Sequence, residues 1–146
     1  MAKQKRPKIK KTELVIPKNG RRGRAKYNGT EPLPHEKKTI RHLTKYGLDI
    51  ETIIPSNTPG SRNPDILMMG TFWEMKGPVS ANENTIKNRF KKAKRQADGR
   101  AIFDLRDISS NSIDAERIII DLFATTRGMY RIIIIEKSGK VIDITK

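Results

Sequence analysis

The sequence predicts an α/β domain in which a mixed central sheet carries helices on its faces. Two observations predict it. From Pro34 onward, segments with apolar residues at helical spacing alternate with short β-branched and aromatic runs. Their order is helix, three strands, helix, strand, helix and a closing pair of strands, which calls for parallel crossovers as well as hairpins. At 146 residues the chain suits one such domain.

Before that domain, Met1–Thr30 holds eleven lysines and arginines against Glu13 alone, which is most of the formal net charge of +15. With few apolar residues and several Pro and Gly, this stretch cannot bury enough surface to offset its chain entropy. Residues 1–32 are therefore expected to be a flexible basic arm, and residues 33–146 the folded domain. The first helix spans His35–Tyr46, opened by Pro34 and ended by Gly47, with Ile40 and Leu43 on one face. Ile50–Ile54 is a short strand, and Pro55–Pro64 is turn chemistry throughout. Asp65–Lys76 is a hairpin about Gly70. Asn84–Asp98 is the second helix, with Ile86, Phe90, Ala93 and Ala97 forming its stripe. Ala101–Arg106 is a strand, Ile113–Arg127 a strongly apolar third helix, and Tyr130–Glu136 with Val141–Thr145 the closing hairpin.

Composition narrows the chemistry. There is no cysteine, which removes disulfides, thiolate metal sites and cysteine nucleophiles together and leaves the redox compartment open. No apolar run approaches the roughly 18 residues of a membrane span. The basic N-terminus lacks the apolar stretch of a signal peptide. The surplus of cations points first to nucleic acid, because each neutralised phosphate releases a counterion. His35 and His42 stand seven apart rather than four, which argues against a helical histidine metal pair. There is no Gly-rich phosphate loop and no Ser-His-Asp set.

The hairpin holds the informative residues. If Gly70-Thr71 form its turn, Leu67 faces Glu74 and Asp65 faces Lys76. Alternation then puts Asp65, Glu74 and Lys76 on one surface, with Trp73 and Met75 packing on the other. Asp65 and Glu74 become diagonal neighbours about 7–8 Å apart. Two carboxylates so placed repel, and a hard divalent cation between them relieves the conflict while leaving room for water and a phosphate oxygen. Lys76 can then orient water or balance charge on phosphorus, which completes an outline for phosphodiester hydrolysis. The plainer reading is an ordinary Asp–Lys cross-strand pair worth about 0.2–1 kcal/mol. Glu36 precedes Ile40 and Leu43 by four and seven positions, so it is a candidate third metal ligand. Alternatively it serves only the first-turn dipole of its helix. On the second helix, Lys87, Lys91 and Arg95 are candidate phosphate contacts, with Arg89 and Lys92 the weakest candidates of that basic face. Ser56, Asn57 and Thr58 either line the site or simply build the turn.

At these residues the sequence resembles a known superfamily. Pro64-Asp65, eight residues, then Glu74-Met75-Lys76 is similar to the signature of the PD-(D/E)XK nucleases. Pro34-His35-Glu36-Lys37, Ser56-Asn57-Thr58-Pro59-Gly60, Asn63-Pro64-Asp65-Ile66 and Asn84-Thr85-Ile86 extend the likeness to CdiA-type C-terminal tRNase toxin domains of contact-dependent inhibition systems, over roughly Leu33 to Lys146. The resemblance implies a restriction-endonuclease-like core and a metal-dependent ribonuclease cutting tRNA. It puts Glu36, Asp65, Glu74 and Lys76 in the active-site positions. It also implies a divalent metal (Mg²⁺ first, Mn²⁺ or Zn²⁺ as alternatives), an immunity protein as partner, and action in the cytoplasm of a target bacterial cell. The superfamily includes Holliday-junction resolvases and restriction enzymes, which keeps a DNA substrate open. A non-catalytic nucleic-acid-binding module is the reading from another class. One departure stands out: this chain opens at Met1 with a basic arm, whereas such toxin domains close a very long secreted protein.

Overall fold

The structure, a computed structural model, describes residues 8–77, 82–109 and 111–146. In chain order its elements are β1 (Lys10–Glu13), β2 (Ala25–Lys26), α1 (Pro34–Thr44), β3 (Ile50–Thr52), β4 (Ile66–Met68) and β5 (Thr71–Lys76). There follow α2 (Glu83–Gln96), β6 (Arg100–Asp104), α3 (Ser112–Thr125), β7 (Arg131–Ile135) and β8 (Val141–Thr145). From α1 onward the elements match the expected order, and the bounds move by a few residues. The described strands form one mixed sheet in the order β1-β8-β7-β6-β5-β4-β3-β2.

The centre of the sheet is two crossovers. β5, β6 and β7 are parallel neighbours joined through α2 and α3. Both connections step the same way along the sheet, so a common handedness puts both helices on one face. There Ile86, Phe90 and Ala93 of α2 and Ile119 and Phe123 of α3 pack with Ala101, Phe103, Ile132, Ile134 and Ile144. On the other face, Ile40 and Leu43 of α1 pack with Ile66, Met68, Trp73, Ile102, Ile133 and Val141. Each central strand contributes alternate residues to each core, which is why β7 reads as four consecutive isoleucines. Pro34 occupies the first turn of α1 as expected, and the Asn82 side chain caps α2 by accepting from the Thr85 N–H at 3.2 Å.

Two expectations are corrected. The segment over residues 1–32 is not a free arm where it is described. β1 pairs antiparallel with β8 and β2 pairs parallel with β3, so this one stretch supplies both edges of the sheet. Its strap, residues 14–24, donates Leu14 N–H to Val141 and Gly23 N–H to Thr44. The cations are nonetheless in solvent: Lys10, Lys11, Lys18, Arg21, Arg22, Arg24 and Lys26 are exposed. Main-chain hydrogen bonding, which leaves no hydrophobic pattern in the sequence, holds β1 and β2. Lys3, Lys5 and Arg6 lie outside the described residues.

The second correction is the hairpin register. Met69 and Gly70, with φ of 51° and 74°, form the two-residue turn, not Gly70-Thr71. Met68 therefore pairs with Thr71, Leu67 with Phe72 and Ile66 with Trp73. A methionine at positive φ costs local strain, which is why turn chemistry favoured a glycine in first place.

Candidate active site

The corrected register changes distances but not surfaces. Moving the turn by one residue shifts each pairing by two, and a shift of two preserves side-chain alternation. Glu74 and Lys76 thus share the α2 side and Trp73 and Met75 the other, while Asp65, just ahead of β4, is reached both by Lys92 and Arg89 of α2 and by Glu36 of α1. Asp65 lies one residue before β4, outside the paired register, and is near enough to Glu74 to raise its carboxyl. Trp73 is fully buried and its Nε1–H donates to the Met68 carbonyl at 2.9 Å, so it is core and no stacking platform.

Asp65 stands where β4 begins. Its N–H donates to the Trp73 carbonyl at 3.2 Å, and its Oδ2 accepts the Met75 N–H at 2.7 Å. The side chain thus takes the place of a ladder carbonyl just after Pro64. The loop leading into it is held from α2: the Asn63 N–H donates to Gln96 Oε1, and Arg62 pairs with Asp98 at 2.5 Å.

Glu74 is 0% exposed. Arg89 Nη1 donates to its Oε2 at 3.2 Å, and Lys92 Nζ lies 3.7 Å from the same oxygen. Its Oε1 is buried with no hydrogen-bond partner among the described residues. Burial and the neighbouring Asp65 push the Glu74 carboxyl up to about 7, against the pull of Lys92 and Arg89. Burial also raises Asp65, opposed by the Met75 N–H and Lys92, while Glu36 adds a further push upward. Lys76 is held below the usual ammonium range by burial and by Arg89 and Lys92.

Glu36 faces Asp65 from α1. Both line a cavity of about 310 Å³ whose walls include Asn28, Thr52, Asn63 and Met75 but not Glu74. One Glu36 oxygen caps its own helix by accepting the Leu33 N–H at 2.9 Å. The expected three-carboxylate set is therefore not drawn together, and among the described residues no three His, Cys, Asp or Glu side chains gather closely enough to hold an ion. Asp65 is the residue common to the cavity and the Glu74 cluster.

The chemistry of the donor set fits a hard divalent cation at the level of two carboxylates. An unpartnered buried carboxylate oxygen and a second carboxyl that each resists ionisation beside the other are what such an ion would relieve. His42 is used otherwise, since its Nε2 meets the Gly139 carbonyl at 2.6 Å.

The remaining predicted residues spread out. Ser56, Asn57 and Thr58 are exposed in a loop that bonds to itself: Ser56 N–H to Asn63 Oδ1, Thr58 N–H to Ser56 Oγ and Ser61 Oγ–H to the Thr58 carbonyl. Lys87, Lys91 and Arg95 form an exposed stripe of α2, with Lys87 3.9 Å from Glu83. The stripe that reaches Glu74 is a different one, Thr85-Arg89-Lys92-Gln96. Sequence reasoning had ranked Arg89 and Lys92 lowest on that helix. The signal that finds them is angular: at helical spacing, 89 and 92 flank the buried 86-90-93 stripe on the side away from 87, 91 and 95.

Residues 62–141 match the family described as contact-dependent growth inhibition CdiA C-terminal domain. Among solved structures, the CdiA-CT/CdiI toxin and immunity complex from Burkholderia pseudomallei contains a chain similar to this one. The TM-score is 0.63 at 20% identity, covering 85% of this chain and 100% of that chain. At that identity the likeness concerns the fold. No curated protein matches the chain. The family match holds Asp65, Glu74, Lys76, Arg89 and Lys92, while Glu36 and the Ser56–Thr58 turn precede it.

Proposed function

Because the chain belongs to the contact-dependent growth inhibition CdiA C-terminal domain family, we propose that it is a toxin domain acting as a metal-dependent nuclease, with tRNA as the favoured substrate. The observation that carries the reading is the nearness of Asp65 to Glu74, two residues before Lys76 on the same strand, with Glu74 Oε1 buried and without a hydrogen-bond partner among the described residues. Asp65 and Glu74 would hold the ion, Mg²⁺ in the first instance and Mn²⁺ or Zn²⁺ as alternatives. A bound divalent ion supplies Lewis-acid polarisation of a phosphoryl oxygen and acidifies water.

The chain's own residues supply the rest. The Met75 N–H fixes the Asp65 carboxylate, so its second oxygen is aimed without the entropy cost of a free rotor. Lys76 presents an ammonium whose proton is loosened by burial and neighbouring cations, suited to orienting water or steadying charge on the phosphate. Glu36, across the cavity from Asp65, is proposed to complete the acidic set when substrate closes the site. Lys87, Lys91 and Arg95, and the Ser56-Asn57-Thr58 turn, are proposed to contact the nucleic acid outside the reacting phosphate. A cognate immunity protein is proposed as partner, supported by the toxin and immunity complex to which the fold is similar. Action in the cytoplasm of a target bacterial cell after delivery follows from the family reading.

The same two carboxylates would serve a DNA endonuclease or a resolvase-like enzyme. A non-catalytic binding module is favoured by one observation, that Arg89 and Lys92 already balance Glu74. Incubating the chain with total RNA and with supercoiled plasmid, each with Mg²⁺, Mn²⁺ or Zn²⁺, separates these readings. Cleavage that Glu74→Gln lowers by on the order of a hundredfold or more, with nucleic-acid binding retained, supports the enzyme. Binding without cleavage under every metal leaves the module.

A further inference from the structure

Glu74 has more positive charge around it than a structural ion pair needs. Arg89 and Lys92 both address the single oxygen Oε2, at 3.2 and 3.7 Å, and leave Oε1 without a hydrogen-bond partner among the described residues. Lys76 follows Glu74 by two residues on the same face of β5. Two cations of α2 thus address one oxygen of a buried carboxyl, with a third cation on the same strand face. The side chains of Arg89 and Lys92 are 20% and 46% exposed, so neither is locked into the core beside Glu74. Their helix stripe ends at Gln96, which holds the loop leading into Asp65, so they lie on the stripe of α2 that borders both carboxyls.

From this we propose that Arg89 and Lys92, with Lys76, form a phosphate subsite for the nucleic-acid backbone, and that their bonds to Glu74 are placeholders given up when a phosphodiester arrives. The inference rests on the hydrolytic reading of Asp65 and Glu74. A divalent ion on those carboxylates would repel both side chains from Oε2, and a phosphate would then offer them the anion they lose. Arg89 brings a planar fork matched to two phosphate oxygens, and Lys92 a point charge. Neither residue is needed to bind or break a bond on phosphorus, so their contribution is to substrate affinity and alignment.

The test uses the full chain carrying Glu74→Gln, which removes the carboxylate charge that Arg89 and Lys92 pair with directly. Binding of a fluorescent RNA stem-loop and a DNA duplex is followed by anisotropy over a range of salt, with and without Arg89→Gln or Lys92→Gln. Each change is expected to weaken binding several-fold and to reduce the log–log salt slope by about 0.7–0.9. Arg89→Lys should keep most of the slope, and melting temperatures establish that every variant is folded. Unchanged affinity and slope would overturn the subsite, leaving Arg89 and Lys92 as counter-ions of Glu74. So would failure of the Glu74→Gln chain to bind either nucleic acid. If the salt slopes fall as expected but the wild-type chain cuts neither RNA nor DNA with any metal, the subsite stands and the hydrolytic reading falls.

Discussion

Glu74 carries a carboxyl into a place with no solvent to receive its charge, and one of its oxygens has no hydrogen-bond partner among the described residues. Its ordinary value lies near 4.5 and its value in the fold near 7. Between those limits the folded chain holds a proton that the unfolded chain releases. The metal-free fold should therefore lose stability as pH rises through that window. A divalent ion must displace the same proton, so its affinity should climb between pH 6 and pH 8. Calorimetric titration of Mg²⁺ or Mn²⁺ at the two pH values checks this. A pH-independent affinity, or one that survives Glu74→Gln, would place the ion elsewhere. This carboxylate was legible in the sequence because alternation along β5 sorts it with Lys76, and Asp65 because a hairpin returns the chain beside it. Arg89 and Lys92 were not, because six cations crowd one helix and the angular offset that separates 89 and 92 from 87, 91 and 95 does not say which of the two sides meets β5.

At the scale of elements, hydrophobic spacing found all three helices, because their buried stripes are continuous in Ile86-Phe90-Ala93 and its counterparts. The hairpin register escaped it by one residue. Met69 adopts a left-handed φ of 51°, a conformation that asparagine tolerates better than an unbranched apolar side chain. Met69 is 41% exposed, and Arg131 Nη2 lies 3.6 Å from its sulfur. Met69→Asn should accordingly stabilise the fold, by roughly 0.5–1 kcal/mol, while leaving Asp65 near Glu74. Urea denaturation measures it, and a loss of stability would show that the turn is held by packing and not by its backbone.

Across the whole molecule, the sequence misled most where the chain is most charged. Lysines and arginines in Lys10–Lys26 point to solvent, so no apolar alternation marks β1 or β2, yet main-chain bonds seat both at opposite edges of the sheet. Unpaired edges invite association, and this segment covers β8 and β3 together. The strap between them passes so near the turn after α1 that a Cβ on Gly23 would lie 1.9 Å from the Leu48 carbonyl oxygen, a backbone atom that cannot step aside. Gly23→Ala should cost on the order of 1–3 kcal/mol and speed tryptic cutting at Arg21, Arg22 and Arg24. Equal protease resistance in the two chains would mean that the strap is not held at that crossing.

The pairing of β1 with β8 also governs how the domain yields to force. Lys10 lies opposite Thr145 and Glu13 opposite Ile142, so the two strands meet with their outer ends side by side. Tension applied to the chain before Lys10 and after Thr145 therefore opens the rungs one after another, like a zip, and never loads all of them in shear. A body that heat must melt as a unit can in this way be undone from one corner by a modest pull.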